Sequence, residues 1–286
     1  YLKIHKSKQD WGFWTEKQKN VLDRKIYLPR GKTLGGSSST NAMAYVRGNA
    51  EDYNTWAELG NYGWGYKDVL PFFKKSENHA QIDKVDSDYH GSSGELSVSL
   101  PTKFKTPYVD GFIKACKKYG IPENDDYNGV TQNGVGVAQS TIKDGKRHSS
   151  ARAFLKPVLN RPNLKAITHA KVSKIILKGK EATGLEYLKG SNKFQVNVEK
   201  EIIVSAGAFQ SPQILMLSGI GDFSELKKHG IDCLHELKGV GKNLQDHLFY
   251  PICAKSKTQE GINHYISPLN QLKAAWNYFV NKKGVF

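Results

Sequence analysis

The chain has 286 residues, 38% of them apolar, and a formal charge of +15 from 42 Lys plus Arg against 27 Asp plus Glu. That length and apolar content predict a globular protein with a sizeable core, and no apolar run approaches the roughly 20 residues that span a bilayer. Cys116, Cys233 and Cys253 are too widely spaced for a disulfide framework or a CxxC pair, and nine scattered histidines without HExxH argue against zinc.

A reducing compartment fits this cysteine usage: the cytoplasm, or the periphery of an inner membrane. No charged-then-apolar leader opens the sequence, and it begins at Tyr1 rather than Met, from which the true start is expected to be absent. The positive charge raises nucleic-acid or anionic-membrane binding as a hypothesis. It is spread, however, in pairs such as Lys74-Lys75, Lys117-Lys118, Lys227-Lys228 and Lys282-Lys283 at the ends of helical patterns, where basic residues complement a helix dipole. With no basic block, no specific nucleic-acid role is expected, while peripheral membrane association stays open.

Taken in order, Tyr1–Tyr27 shows no clean period and reads as irregular chain. Leu28–Asn54 packs Gly31, Gly35, Gly36 and then Ser37, Ser38 and Ser39 into one short run, which lets peptide N–H groups approach a ligand without Cβ obstruction. By composition alone such a run is more often a plain turn. It is not a P-loop, because Lys32-Thr33 precede the last glycines instead of following them. Asn41–Val46 contains no breaker and predicts an amphipathic helix. Asp52 is the expected cap of a short helix through Trp56 and Leu59 that ends at Gly60, and Tyr62, Trp64 and Tyr66 are expected to pack a turn around Gly63 and Gly65.

Lys67–Ser76 reads as a helix with Val69, Leu70, Phe72 and Phe73 inward, with Pro71 kinking it or marking its first turn. Asn78–Gly94 is polar and turn-rich, a surface excursion that puts His90 in solvent, and Glu95–Leu100 alternates as a strand. Thr106-Pro107 open a helix with Phe112, Ile113, Cys116 and Tyr119 on one face, which makes Cys116 a core filler. Asn124–Gly136 carries DDYNG but lacks the terminal Glu of an EF-hand, so it reads as a solvated loop. His148 is expected at the surface, and Ser149 or Ser150 to cap a helix through Val158.

From Asn163 the texture turns to β, with strands expected at Leu164–Thr168, Val172–Leu177, Gly184–Leu188, Phe194–Val198 and Glu201–Ser205. Ile202-Ile203-Val204 reads as a strand buried on both faces. After the small-residue turn Ser205–Ala208, Ser211-Pro212 start a helix burying Ile214, Leu215 and Leu217. Strand, small turn and helix together bring a positive helix end to a dinucleotide phosphate. Gln271–Lys283 closes the chain as a helix burying Leu272, Ala275, Trp276 and Phe279 and ending at Gly284.

The run GKTLGGSSSTNAMAYVRGNAEDYNTW resembles the first signature of the glucose-methanol-choline (GMC) flavoprotein oxidoreductases, and GAFQSPQILMLSGIG at Gly207–Gly221 resembles their second. Similarity continues in ELGNYGWGYKDVLPFFKKSEN, in KRHSSARAFLKP at Lys146–Pro157 and in GVGKNLQDH at Gly239–His247. It spans nearly the whole chain and is choline-dehydrogenase-like in flavour. The resemblance implies an α/β fold: an incomplete Rossmann-like FAD-binding region over residues 1–248, then the start of an α+β substrate domain with an antiparallel sheet at 249–286.

It also implies FAD as cofactor, with Thr33, Gly35, Gly36 and Ser37 near flavin and pyrophosphate, and Asn41, Ala42, Met43 and Ala44 lining the isoalloxazine. Val172 matches the position that meets adenine, and Gly207 and Ala208 lie by the pyrophosphate. Thr40 departs from the family's aliphatic residue. The family's GxGxxG is not present, and its catalytic His with a His or Asn partner falls beyond Phe286, so no catalytic residue and no metal ligand is assigned.

His247 follows Asp246, but adjacent residues on a regular element point apart, and the family places this motif outside its catalytic pair. The implied reaction is oxidation of a small-molecule alcohol, with a quinone, oxygen or another carrier taking the electrons. The fragment is expected to be inactive alone. A hydroxynitrile lyase on the same scaffold, or a basic nucleic-acid or membrane binding module, are the alternatives.

Overall fold

A computed structural model describes residues 6–101, 106–246, 257, 261, 265 and 267–281. His247, Cys253, Lys282-Lys283 and Gly284 lie outside the described residues. The chain divides into two compact units, one of Tyr1–Leu164 with Lys255–Phe286 and one of Lys165–Ala254. Their boundary falls where the sequence texture turns to β.

In the first unit the opening segment is not wholly irregular. β1 (Phe13–Trp14) pairs antiparallel with β2 (Tyr27–Leu28), and the Asp10 carboxylate clasps the pair by accepting from the Tyr27 hydroxyl and the N–H groups of Gly12 and Arg30. α1 (Ala50–Glu58) begins one turn earlier than its expected cap. Asn49 is the cap, accepting from Glu51 N–H at 3.0 Å, and Asp52 closes a capping box by accepting from Asn49 N–H at 3.2 Å. Gly60, at φ +98°, ends the helix as expected.

α2 (Tyr66–Ser76) holds Pro71 inside the helix, past the first turn. Phe73 sits edge-on to Tyr53, but Phe72 is 68% exposed, so the inward face is narrower than the apolar pattern predicts. Trp64 packs on Trp56 and Tyr66 on Tyr53, while Tyr62 is exposed and packs no turn. β3 (Glu77–His79) then runs parallel to β4 (Leu96–Val98). The polar stretch between them folds inward: His79 and His90 are each 2% exposed, which overturns the surface reading of Asn78–Gly94.

α3 (Pro107–Lys118) opens at Pro107 and is followed by Gly120 at φ +84°. Ile113 is its buried residue, and Cys116 is half-buried. Phe112 and Tyr119 are exposed, against expectation. β5 (Ile142–Lys143) and β6 (Lys146–Arg147) form a short hairpin. The helix expected after Ser150 is a π-turn over Ala151–Leu155 running into a 3-10 turn at Lys156–Val158, and the Ser150 side chain does not cap it.

In the second unit β7 (Ala170–Lys178), β8 (Glu181–Lys189) and β9 (Asn192–Asn197) form an antiparallel meander. Its two-residue turns begin with Gly179 and Gly190, both at positive φ, as tight hairpins require. The expected strands at 164–168 and 201–205 pair with nothing among the described residues, and Ile203 is 77% exposed instead of buried on both faces. β propensity without a neighbouring strand makes no ladder.

α4 (Gly207–Leu217) starts at Gly207, four residues before the predicted Ser211-Pro212, and Leu217 is exposed. It is tied to β7 through Ser218, whose Oγ accepts from Ile175 N–H at 2.7 Å and donates to Ile214 C=O at 2.6 Å. β10 (Ile220–Gly221) runs parallel to β11 (His235–Glu236), and between them α5 (Phe223–Lys228), capped by Asp222, buries Leu226.

α6 (Pro268–Asn281) belongs to the first unit. It buries Ala274 and half-buries Ala275, while Leu272, Trp276 and Phe279 are each 70% exposed, so the predicted inward face is overturned. Nor is a sizeable apolar core met among the described residues. The largest fully buried side chains are Leu226, His79, Gln139, Glu77 and Val98, three of them polar, because apolar faces such as that of α6 meet no partner among the described residues.

Candidate functional site

The glycine loop is a tight turn in which the three glycines do different work. Thr33 C=O accepts from Gly36 N–H at 2.9 Å, Gly35 and Gly36 take φ of +85° and +52°, and a 3-10 turn follows over Gly36–Ser39. A Cβ on Gly31 would lie 2.3 Å from Gly36 O, and one on Gly35 would lie 2.5 Å from Ser39 Oγ and 3.1 Å from Ala151 Cβ. Both are therefore close-packing positions. At Gly36 an added Cβ meets nothing within 4 Å, so this residue faces open space.

The serine hydroxyls turn into the loop. Ser37 Oγ accepts from Gly31 N–H, Ser38 Oγ donates to Gly35 C=O, and Ser39 Oγ donates to Leu34 C=O. The loop consequently presents backbone outward.

Two residues to which sequence reasoning gave no part in the site hold this loop. Ser150 N–H donates to Ser38 Oγ at 3.0 Å, and Ser150 Oγ donates to Gly35 C=O at 3.3 Å. Arg147 reaches Ser38 C=O, Asn41 Oδ1 and Asn41 C=O at 3.1, 2.7 and 2.7 Å. Their signal was the KRHSSARAFLKP run, which matched a family pattern without indicating what it contacts.

Asn41–Val46 is not a helix. Asn41 Oδ1 accepts from Met43 N–H, Met43 turns at φ +67°, Met43 C=O accepts from Thr141 N–H, and Tyr45 N–H donates to Gln139 C=O at 2.8 Å. The segment is extended along residues 139–141, and its side chains alternate: Ala42, Ala44 and Val46 are exposed, whereas Met43 and Tyr45 are half-buried and Arg47 is buried. Period two puts the small residues on one open face.

Beneath the other face lies a buried polar cluster. Arg47 Nη2 donates to Glu77 Oε2 at 2.6 Å, Glu77 Oε1 is 2.9 Å from His90 Nδ1, and His90 Nε2 is 3.0 Å from Asp126 Oδ1. Gln139 Nε2 donates to Asp126, and Asn128 Nδ2 to Gln139 Oε1. Burial opposes a charged His90, but its bonds to Asp126 and Glu77 outweigh that and push its pKa up to about 9. Burial likewise opposes the Asp126 charge, yet the His90 bond holds its carboxyl below the usual range.

The loop at 124–136 is thus not merely solvated, since Asn128 is 2% exposed and Asp126 serves the cluster. His148 is also buried, not at the surface: its Nδ1 accepts from Ser97 N–H at 3.0 Å, and burial pushes its pKa down.

Glu77, His79 and His90 bring possible ligand atoms within 4.8 Å of one another. Proton positions oppose a metal there. His90 donates from both nitrogens to carboxylates, and His79 Nδ1 accepts from Gln81 N–H, which leaves the proton on its buried, unpartnered Nε2. Glu77 and His90 form an ion pair, with the His79 ring edge-on beside them.

In the second unit Val172 is half-buried on β7 opposite Tyr187. Gly207 and Ala208 form the first turn of α4, both exposed, with Gly207 at φ +88° and open space where a Cβ would stand. No side chain caps this helix start, which leaves its end partly positive. Thr33, Gly35, Gly36, Ser37 and Asn41–Ala44 lie together in the first unit, and Val172, Gly207 and Ala208 in the second.

Comparison with known proteins places these elements in context. The GMC oxidoreductase family model matches residues 18–249. The chain is 44% identical to an alcohol dehydrogenase [acceptor] of Pseudomonas putida over 99% of this chain and 51% of that protein. It is 46% identical to the mitochondrial choline dehydrogenase of Homo sapiens over 84% of this chain and 40% of that one. An FAD-dependent oxidoreductase from Chaetomium thermophilum superposes with a TM-score of 0.89 at 30% identity, covering 97% of this chain and 50% of that one. The chain spans about half the length of the curated relatives it matches. GMC oxidoreductases are FAD-dependent. On the match across residues 18–249, this chain belongs to the GMC oxidoreductase family.

Proposed function

We propose that the protein containing this chain oxidises the CH–OH group of a small alcohol, choline or a related one, with FAD as cofactor. The family match across residues 18–249 carries this reading, and the open backbone of the glycine loop supports it. When bound, FAD supplies the acceptor for the hydride that leaves the alcohol carbon.

The chain's own part is binding and orientation. Thr33, Gly35, Gly36 and Ser37 offer a loop tied together by its own hydrogen bonds, with the open Cα face of Gly36 turned toward the cofactor. Asn41, Ala42, Met43 and Ala44 lay an extended edge along the flavin, with Ala42 and Ala44 on its open face. The uncapped start of α4 at Gly207 and Ala208 favours the negative charge of a diphosphate, and Val172 borders the adenine. Residues 1–248 form the Rossmann-like FAD-binding region, and 249–286 belong to the substrate domain.

None of the described histidines is assigned as the base. His90 has both ring nitrogens engaged and is 2% exposed, out of reach of a substrate proton. The hydroxynitrile lyase and binding-module alternatives gain no support from relatives named as dehydrogenases and oxidoreductases. We place the protein in the cytoplasm or at the periphery of an inner membrane, a placement to be tested by pelleting with anionic vesicles at low and high salt.

The deciding experiment is anaerobic mixing of the full-length protein with choline and with simple primary alcohols. Bleaching of the flavin's visible band is the expected result, and recovery of colour with air or with a quinone identifies the electron acceptor. A flavin that stays coloured with every alcohol contradicts the proposal.

A further inference from the structure

We propose that the ring of Arg47, Glu77, His90, Asp126, Gln139 and Asn128, buried except at the half-buried Asp126, is a positioning device that fixes the Ala42–Val46 backbone, so that its open face meets the flavin in a fixed register. The role toward flavin rests on the function proposed above. The geometry stands independently of it.

The segment has two unlike faces. Ala42, Ala44 and Val46 face outward with small, apolar side chains, and no member of the ring is among them. From behind, its polar backbone groups are taken up one after another. Thr141 N–H donates to Met43 C=O at 2.9 Å, Asn128 Nδ2 and the Tyr127 hydroxyl donate to Tyr45 C=O at 3.0 and 3.1 Å, and Gln132 Nε2 donates to Arg47 C=O at 2.9 Å. Asn128 grips twice, since its Oδ1 also accepts from Arg47 N–H at 2.8 Å.

Asn128 is fixed in turn by Gln139, Gln139 by Asp126, Asp126 by His90, His90 by Glu77, and Glu77 by Arg47. The chain of bonds therefore returns to the residue that ends the segment. Arg47 Nη1 also reaches Tyr89 C=O at 2.5 Å, and Glu77 Oε2 accepts from Gly91 N–H at 3.1 Å, so the ring pins the turn bearing His90 as well.

Burying Arg47, Glu77 and His90 beside a half-buried Asp126 is an expensive way to obtain stability, because desolvation consumes most of the Coulomb gain. A closed ring of alternating charge offers definition instead: Arg47 and His90 positive, Glu77 and Asp126 negative, each with two or more partners. The groups facing His90 are Glu77 and His79 from β3, Asp126 from the 124–136 loop, and Arg47 beyond Glu77. The neutral His79 ring stands edge-on at 5.1 Å. Both carboxylates need His90 charged, so the hold on the segment weakens as pH rises through about 9.

The test uses the full-length protein, His90→Gln, and amide hydrogen exchange at Tyr45 and Arg47 alongside the flavin's visible spectrum. The variant should exchange about tenfold or more faster at those two amides, with α3 protection unchanged and the flavin band shifted. Wild type should lose the same protection on passing from neutral pH to well above 9, and the variant should show no such transition.

A folded variant with wild-type exchange and spectrum overturns the proposal. Should the variant fail to fold, the wild-type pH profile decides alone: unchanged protection at Tyr45 and Arg47 through the alkaline range overturns it. Faster exchange at these amides in a protein that carries no flavin refutes the cofactor reading while supporting the positioning of the segment.

Discussion

Replacing Glu77 by Gln removes one negative charge from a ring in which two cations face two carboxylates. Glu77 is fully buried and bonds to Arg47 at 2.6 Å, His90 at 2.9 Å and Gly91 N–H at 3.1 Å. The amide keeps one acceptor oxygen but turns an NH2 donor on these donors, leaving Arg47 without a carboxylate and His90 with Asp126 alone. Breaking a buried pair in this way costs roughly 3–5 kcal/mol. At about 2–4 °C per kcal/mol for a unit of this size, the melting temperature falls by roughly 6–20 °C.

The pH dependence carries a sign. In wild type the folded-state pKa of His90 is raised from 6.5 to about 9, so its contribution is complete below 6.5 and disappears as pH rises through about 9. In Glu77→Gln only Asp126 sustains that shift, and the gap narrows. The difference between variant and wild type is therefore largest near and below pH 6.5 and shrinks above 9, where wild type has lost the His90 charge too. Thermal melts by circular dichroism across that range check this. A variant melting within about 2 °C of wild type, or a difference that grows with pH, refutes the reasoning.

Three further substitutions test the loop and its supports. Gly31→Ala places a methyl 2.3 Å from Gly36 O and costs about 1–3 kcal/mol by overpacking, read as a lower denaturation midpoint. Ser150→Ala removes the Oγ bonds to Gly35 C=O and Ser38 Oγ while its N–H stays on Ser38, and costs about 1 kcal/mol, with faster exchange of the Gly36 and Ser38 amides as its local signature. Ser218→Ala leaves the buried N–H of Ile175 without an acceptor and lowers stability by about 1–3 kcal/mol, with lost exchange protection confined to β7 and α4.

Local pattern was enough where local pattern decides structure. α1 and α3 follow from polar residues at their starts, Pro107 and the glycines beyond their ends, α2 from its apolar spacing, and the β7–β9 meander from β-branched runs separated by Gly179 and Gly190. It failed where long-range partners decide. His90 and Asp126 read as solvated because they stand in polar, turn-rich runs, and the residues that complete their cluster lie far off in sequence: Arg47 is 30 residues from Glu77 and 81 from Asn128.

The helix expected at 41–46 was inferred from a lack of breakers, although Ala42, Ala44 and Val46 already alternate with larger residues at the period of a strand. The faces assigned to Leu272, Trp276 and Phe279, and the strand at 201–205, were apolar enough for burial. Burial requires a second surface, and none is present among the described residues. The cofactor positions themselves were reached through family resemblance, since a glycine-serine run specifies a turn before it specifies a ligand.

The most direct test of the cofactor assignment is the flavin content of full-length Gly36→Asn. Asn tolerates the positive φ of Gly36, and an added Cβ meets no protein atom within 4 Å, so the fold should be unaffected while the side chain enters the space assigned to FAD. Wild type should purify with close to one flavin per chain and the variant with little or none, at equal circular dichroism. Full flavin occupancy in a folded Gly36→Asn protein contradicts the account.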